Sequence, residues 1–268
     1  MRGGLGAFVA AAALSLTACA ESEVDGATVV HTTATGVELN GTYLRANSSQ
    51  RQPTLLLLHE TGPTHSRHDF DPIWDTLVQA GFGLVAPDLR GHGRSDPVAD
   101  IDSLAYDPSG YPEDVRGWLQ FISDRDEAGE PVDRSAVGII GFGTSASLAA
   151  AALGKDYVAC AVAVSPSITE LNALEGGFLR DGEIPGEPPG EPDPKEPVIL
   201  TDNVTLHSTL WMSASGDEPS ATDSTVLLAA SGEPSELHEE AGAFHGAELM
   251  LLSESNQRAM VQWCLNVL

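Results

Sequence analysis

Lysine is almost absent from this sequence. The 268 residues contain lysine only at Lys155 and Lys195, and 13 basic residues stand against 39 acidic ones, so that the formal net charge is −26. Nucleic acids and anionic membrane surfaces would repel such a chain over a long range. The composition therefore excludes nucleic acid as a partner and favours a solvated acidic surface.

Cysteine is also scarce. The three cysteines, at positions 19, 160 and 264, are too few and too scattered for a disulfide framework or a metal site. Cys160 lies in an apolar stretch and Cys264 in an amphipathic stretch near the C-terminus. In an oxidising compartment these two can pair, or they can remain two buried thiols. We predict neither a metal nor a cofactor.

The apolar run near the N-terminus, residues 5–16, is shorter than the roughly 20 residues that span a bilayer. It follows Arg2 and runs into Leu16-Thr17-Ala18-Cys19. This pattern resembles a bacterial lipoprotein signal, in which the cysteine carries the lipid; a plain cleaved signal or a buried helix is the alternative. The resemblance implies a signal peptide over 1–18, a tether over 19–26, and a functional domain over 27–268. Lipid on Cys19 would anchor that domain to a membrane of the cell envelope, facing the periplasm or the exterior.

Short apolar stretches alternate with amphipathic ones through the rest of the chain. Strands separated by helices predict parallel βαβ units with helices on both faces of a central sheet. The length is ordinary for a single domain, which we expect to be monomeric. Strands are predicted at 28–33, 37–45, 54–58, 84–86, 158–164, 206–214 and 237–239, with a further strand starting at 137, and helices at 73–80, 114–123, 145–153, 221–230, 247–252 and 256–267.

The composition changes abruptly at residue 180. From there to residue 197 the chain contains six prolines and repeated Gly-Glu pairs, which cannot bury apolar surface. We interpret this segment as an acidic insertion, either a lid or a mobile loop.

One long string carries a family resemblance. Residues 55–96 read LLLLHETGPTHSRHDFDPIWDTLVQAGFGLVAPDLRGHGRSD: an apolar strand ends in a histidine-containing turn, a helix follows, and a second strand runs into APDLRGHGRSD. Together with the later strings GFGTS, ASGDEPS and GAFHGAE, this stretch resembles the α/β-hydrolase superfamily of serine esterases and peptidases. The resemblance covers nearly everything from residue 39 to the end and implies the α/β-hydrolase fold.

The resemblance also assigns catalytic positions. In this fold the nucleophile, the acid and the histidine follow one another along the chain, and the matching positions here are 143, Asp217 and His245. A histidine takes the proton of the nucleophile, a carboxylate orients that histidine, and backbone amides receive the oxyanion. The amides would come from Thr144 and from the turn at Glu60 or Thr61.

The nucleophile itself is missing. The strand-turn-helix pattern calls for G-x-S-x-G with a serine at the apex, and the apex residue here is Gly143. Glycine adopts the strained apex backbone freely, so folding should survive. Catalysis through a nucleophile should not survive, since removing the nucleophile of a triad costs on the order of 10⁶ in turnover.

Three other groups in the sequence are candidates for the site. Ser145 lies about 200° around the helix axis from the apex, so its hydroxyl should point away, and we expect it to bond free amides of the helix instead. Glu60, directly after His59, resembles the dienelactone-hydrolase-like branches, where a glutamate lies beside the nucleophile. The histidines and acids of residues 59–71 match no metal-ligand spacing.

The sequence thus leaves three hypotheses. The first is a lipid-anchored α/β-hydrolase-fold protein without serine hydrolase activity that binds a small anionic or ester-like ligand at free amides near the apex. The second is a working ester or peptide hydrolase that uses Ser145 or a water activated by His245. The third is an interaction module of the envelope that recruits a partner through the acidic loop.

Overall fold

The computed structural model describes residues 26–46, 48–101, 104, 107, 109–154, 157–171, 174, 206–251 and 253–268. The predicted signal peptide, the tether up to residue 25, Cys19 and the insertion at 180–197 lie outside the described residues. None of the described helices is both long enough and apolar enough to cross a membrane.

Within the described residues, eight strands form one sheet in the order β1-β2-β4-β3-β5-β6-β7-β8. β2 pairs antiparallel with β1 and with β4, whereas every pair from β4 to β8 is parallel. The strands are β1 (Ala27–Thr32), β2 (Glu38–Leu44), β3 (Gln52–Leu58), β4 (Gly83–Pro87), β5 (Val132–Phe142), β6 (Cys160–Val164), β7 (Thr209–Ala214) and β8 (Ser235–Glu240).

Helices cover both faces of this sheet. Those with described bounds are α1 (Asp71–Gln79), α2 (Tyr111–Glu127), α3 (Thr144–Leu153), α4 (Glu218–Ala230), α5 (Ala247–Leu251) and α6 (Glu254–Val267). The prediction of a mostly parallel sheet between two helical layers is therefore confirmed.

Two apolar cores lie on opposite faces of the sheet, because side chains of a strand alternate between its faces. In β3, Leu56 and Leu58 pack into the core beneath α2 and α3, whereas Leu55 and Leu57 pack into the core beneath α1, α5 and α6. All four leucines are fully buried. A strand buried on both faces reads as a continuous apolar run, which is why residues 54–58 predicted it.

The two cysteines of the domain are both buried and free in the structure. Cys160 begins β6 and Cys264 lies in α6. Their thiols are neighbours, and the contact with Cys160 together with burial raises the pKa of the Cys264 thiol.

The parallel strands bring their carboxyl ends to one edge of the sheet, which is where open α/β sheets bind ligands. Residues 59, 88, 143, 165, 217 and 245 all follow the carboxyl end of a strand, directly or after a short turn. The predicted positions 143, 217 and 245 therefore converge on this edge, together with residue 59 of the histidine-containing turn.

Candidate active site

The turn between β5 and α3 holds Gly143 in a backbone conformation that side chains rarely adopt. Its φ is +55° and its ψ is −125°, a region of backbone conformation that favours glycine. Its amide donates to the carbonyl of Val164 at 2.9 Å. The start of α3 lies so close to the end of β5 that a Cβ atom at Gly141 would lie 2.0 Å from the carbonyl oxygen of Ser145. The turn thus has the sharp strand-to-helix shape of a nucleophile elbow, with glycine at its apex.

Asp217 and His245 lie 28 residues apart in the chain and meet at this edge. Asp217 follows β7 and begins α4, whereas His245 lies in the turn between β8 and α5. His245 Nδ1 and Asp217 Oδ2 are 2.6 Å apart. The imidazole side chain is 47% exposed, so water can reach the ring. The structure brings the predicted acid and histidine together.

The side chain of Glu60 enters the space beside the apex. Its Oε1 is 3.6 Å from His245 Nε2, and a Cβ atom at Gly143 would lie 2.9 Å from the same oxygen. Glu60 was predicted for its backbone amide, and the HE pair also resembled branches of the family in which a glutamate lies beside the nucleophile. The structure adds a carboxylate in the place where a nucleophile's side chain would stand.

Two buried histidines hold the turn that carries Glu60. The amide of Leu89 donates to His59 Nε2 at 3.0 Å, so the proton of that ring lies on Nδ1, which donates to the Glu60 carbonyl at 2.6 Å. His92 Nε2 accepts from the amide of Gly62 at 3.0 Å. Burial lowers the pKa of His59 to about 3 and also lowers the pKa of His92, so both rings are neutral at pH 7.

A chain of hydroxyl groups links the turn to a further acid. Thr61 Oγ1 donates to Thr144 Oγ1 at 3.1 Å, and Thr144 Oγ1 donates to Glu170 Oε1 at 2.8 Å. Burial raises the pKa of Glu170. The sequence analysis did not predict Glu170 and selected the two threonines only for their backbone amides. Glu170 could have been found because it is an acid six residues beyond the end of β6, at the same edge of the sheet. The oxyanion role of the amides of Thr61, Thr144 and Glu60 stays a prediction.

Ser145 does not face the apex space. It is fully buried, and its hydroxyl donates to the carbonyl of His59 at 2.6 Å. The Ser145 hydroxyl points away from the site, as the sequence predicted. Its predicted partner was wrong, because the hydroxyl donates to a carbonyl of the neighbouring turn rather than bonding the amides of its own helix.

The APDLRGHG string shapes the site without facing it. Asp88 accepts from the backbone amides of Arg67 and Arg94, at 3.0 and 2.9 Å, and from Arg67 Nη1 at 3.1 Å. Arg90 forms a buried ion pair with Asp114. Arg67 and Arg90 are therefore neutralised by carboxylates of their own.

The histidines and acids of residues 65–71 form separate pairs. His65 Nδ1 is 2.8 Å from Asp69 Oδ2, and His68 Nδ1 is 3.2 Å from Asp71 Oδ2. Within the part of the chain that the structure describes, no group of three histidine, cysteine or acidic residues could hold a metal ion.

Comparisons with known proteins agree with this fold. A family model described as "Alpha/beta hydrolase family" matches residues 55–258, whereas no curated protein matches the chain. Among solved structures, an esterase from Pyrococcus furiosus is 18% identical with a TM-score of 0.64, covering 91% of this chain and 93% of that one. A dienelactone hydrolase from Anabaena variabilis is 17% identical with a TM-score of 0.64, covering 91% and 98%. An alpha-beta serine hydrolase homologue from Coxiella burnetii is 16% identical with a TM-score of 0.58, covering 88% and 96%.

Proposed function

The chain belongs to the alpha/beta hydrolase family, and from that premise we propose that it is a ligand-binding member without serine hydrolase activity. The observation that carries this proposal is the apex of the elbow. Gly143 supplies no hydroxyl, and the carboxylate of Glu60 stands 2.9 Å from the position of the missing Cβ atom. Without an attacking oxygen, no acyl-enzyme can form at this position.

The ligand that we propose is small and ester-like. Asp217 and His245 remain paired at 2.6 Å, and the resemblance assigns the neighbouring turn to the binding of a carbonyl oxygen. An anionic ligand was expected from the free amides of the helix N-terminus. Glu60 places a like charge beside that space, which favours the uncharged ester over the anion.

A second candidate function is slow ester hydrolysis by a water that His245 activates. It is favoured by the 2.6 Å contact between His245 and Asp217 and by the 47% exposure of the imidazole, which gives water access to the ring. A positioned general base contributes about 10²–10⁴ in rate, far less than a complete triad.

Turnover of p-nitrophenyl butyrate by the purified unmodified protein distinguishes the two candidates. The first predicts a rate equal to that of His245→Ala, because neither protein has a nucleophile. A rate that falls at least tenfold in His245→Ala but not in Ser145→Ala establishes the water mechanism instead. A rate that falls in Ser145→Ala contradicts both, since that hydroxyl is buried.

We also propose that lipid on Cys19 anchors the domain to the envelope, which the string Leu16-Thr17-Ala18-Cys19 supports. A protein held by a lipid chain partitions into detergent. We expect the full chain, expressed in a bacterial host, to partition into the detergent phase and Cys19→Ser to move to the aqueous phase. Equal partitioning of the two proteins would contradict the proposed lipid anchor.

The third hypothesis, an interaction module acting through residues 180–197, stays a prediction.

A further inference from the structure

The carboxylate of Glu60 occupies a space that two glycines leave open. A Cβ atom at Gly143 would lie 2.9 Å from Glu60 Oε1, and a Cβ atom at Gly246 would lie 2.0 Å from Oε2. Real Cβ atoms do not approach oxygen this closely, so any side chain at either position would force the carboxylate to move. Glu60, Gly143 and Gly246 therefore form one arrangement, in which the absence of two side chains makes room for a third.

The backbone of Glu60 is held firmly enough to aim its side chain. Its carbonyl accepts from His59 Nδ1, and the amide of Leu89 fixes that ring from the other side. His59 is fully buried. The side chain of Glu60 is 19% exposed, and its Oε1 is 3.6 Å from His245 Nε2. The carboxylate thus lies directly beside the ring nitrogen that a ligand at this site would meet.

The charges around this space are mostly negative. Asp217 contacts the other nitrogen of the His245 ring, and Glu170 accepts from Thr144, the residue that follows the apex. The guanidinium groups of Arg67 and Arg90 are held in ion pairs with carboxylates of their own. A ligand that carries a carboxylate would meet like charge in a partly buried site, where screening by water is weak.

We infer that Glu60 determines the specificity of this site: it stands in the nucleophile's position, excludes ligands that carry a carboxylate, and admits their uncharged counterparts. The inference rests on the proposed function, because it concerns the ligand of that same site. It assigns Glu60 a role in recognition through its charge as well as its volume. Glu60→Gln removes the charge while keeping the volume, and Glu60→Ala removes both.

The test uses two matched probes, sodium butyrate and butyramide, which differ in charge but hardly in shape. Binding is followed through the ring resonances of His245 in NMR spectra, assigned with His245→Ala. We expect the unmodified protein to bind butyramide at least tenfold more tightly than butyrate. In Glu60→Gln this preference should disappear, and in Glu60→Ala butyrate should bind more tightly than it does to the unmodified protein. Glu248→Gln, an exposed position in the following helix, should keep the original preference.

An unchanged preference in Glu60→Gln overturns the inference, because a merely structural glutamate would give that result. Equal binding of the two probes to the unmodified protein overturns it as well. The inference is also overturned if butyrate leaves the His245 ring resonances unchanged in every variant. The rates of ester turnover compared above do not depend on carboxylate binding. The proposal that serine catalysis is absent can therefore stand where this inference fails.

Discussion

Gly143→Ser combined with Glu60→Gly is expected to hydrolyse p-nitrophenyl butyrate about 10³-fold faster than the unmodified protein. The backbone at position 143 already has the apex conformation, with φ at +55°, and Asp217 already contacts His245. A complete triad is worth on the order of 10⁶ in turnover, so about 10³ corresponds to half of that gain on a logarithmic scale. The second substitution clears the carboxylate from the space that the serine side chain needs.

Gly143→Ser alone should gain much less. Its Cβ atom would lie 2.9 Å from Glu60 Oε1 and 3.0 Å from Glu60 Cδ, so that the carboxylate must swing away before the hydroxyl can meet His245. Adding His245→Ala to the double variant should return the rate to that of the unmodified protein. If the double variant shows no gain, the site has lost more than its nucleophile, and the retained pair of Asp217 and His245 does not have a working geometry.

Arg90→Met is expected to lower the free energy of unfolding by about 3–5 kcal/mol, the cost of removing one partner of a buried ion pair. The guanidinium of Arg90 lies 2.6 Å from Asp114 and 2.7 Å from Glu113 and also donates to the carbonyl of Ser109. Asp114 is fully buried. Without Arg90, both carboxylates would lose their positive partner in a region from which water is largely excluded.

Urea denaturation measures this change as a shift in midpoint at constant slope. Arg258→Met is the matched control, because Arg258 pairs with Glu254 on the surface, where the two side chains are 70% and 88% exposed. Its effect should stay within about 0.5 kcal/mol. A loss below about 1 kcal/mol for Arg90→Met would mean that the APDLRGHG string does not stabilise the fold as the geometry indicates.

The strands of the sheet interior were predictable from the sequence, because burial on both faces leaves a continuous apolar run. Residues 54–58 and 84–86 are examples, and they lie within β3 and β4. The edge strand β8 was predicted only at 237–239, whereas the structure extends it over Ser235–Glu240. The sequence of β8, SELHEE, shows no apolar pattern, because an edge strand can expose polar side chains. Likewise β5 starts at Val132 rather than 137, because Val132 pairs with Gln52 of β3. The polar residues that follow Val132 interrupt the apolar run and hid this start from the sequence pattern.

The site was predictable in its positions but not in its side-chain arrangement. The order of the apex, Asp217 and His245 along the chain predicts that they lie at one sheet edge. The resemblance of the HE pair indicated a glutamate beside the nucleophile, but the contacts that place the Glu60 side chain could not be predicted, because they depend on the bond from His59 and on the glycine at 246. The contact of Glu170 with Thr144 depends in the same way on tertiary packing.

The most direct test of the central claim is the intact mass of the protein after incubation with a fluorophosphonate, which phosphonylates an activated serine hydroxyl. The account predicts that the unmodified protein gains no adduct, whereas the double variant Gly143→Ser, Glu60→Gly gains one adduct that His245→Ala prevents. A stoichiometric adduct on the unmodified protein would show that another side chain serves as nucleophile and would contradict the proposal that serine catalysis has been lost.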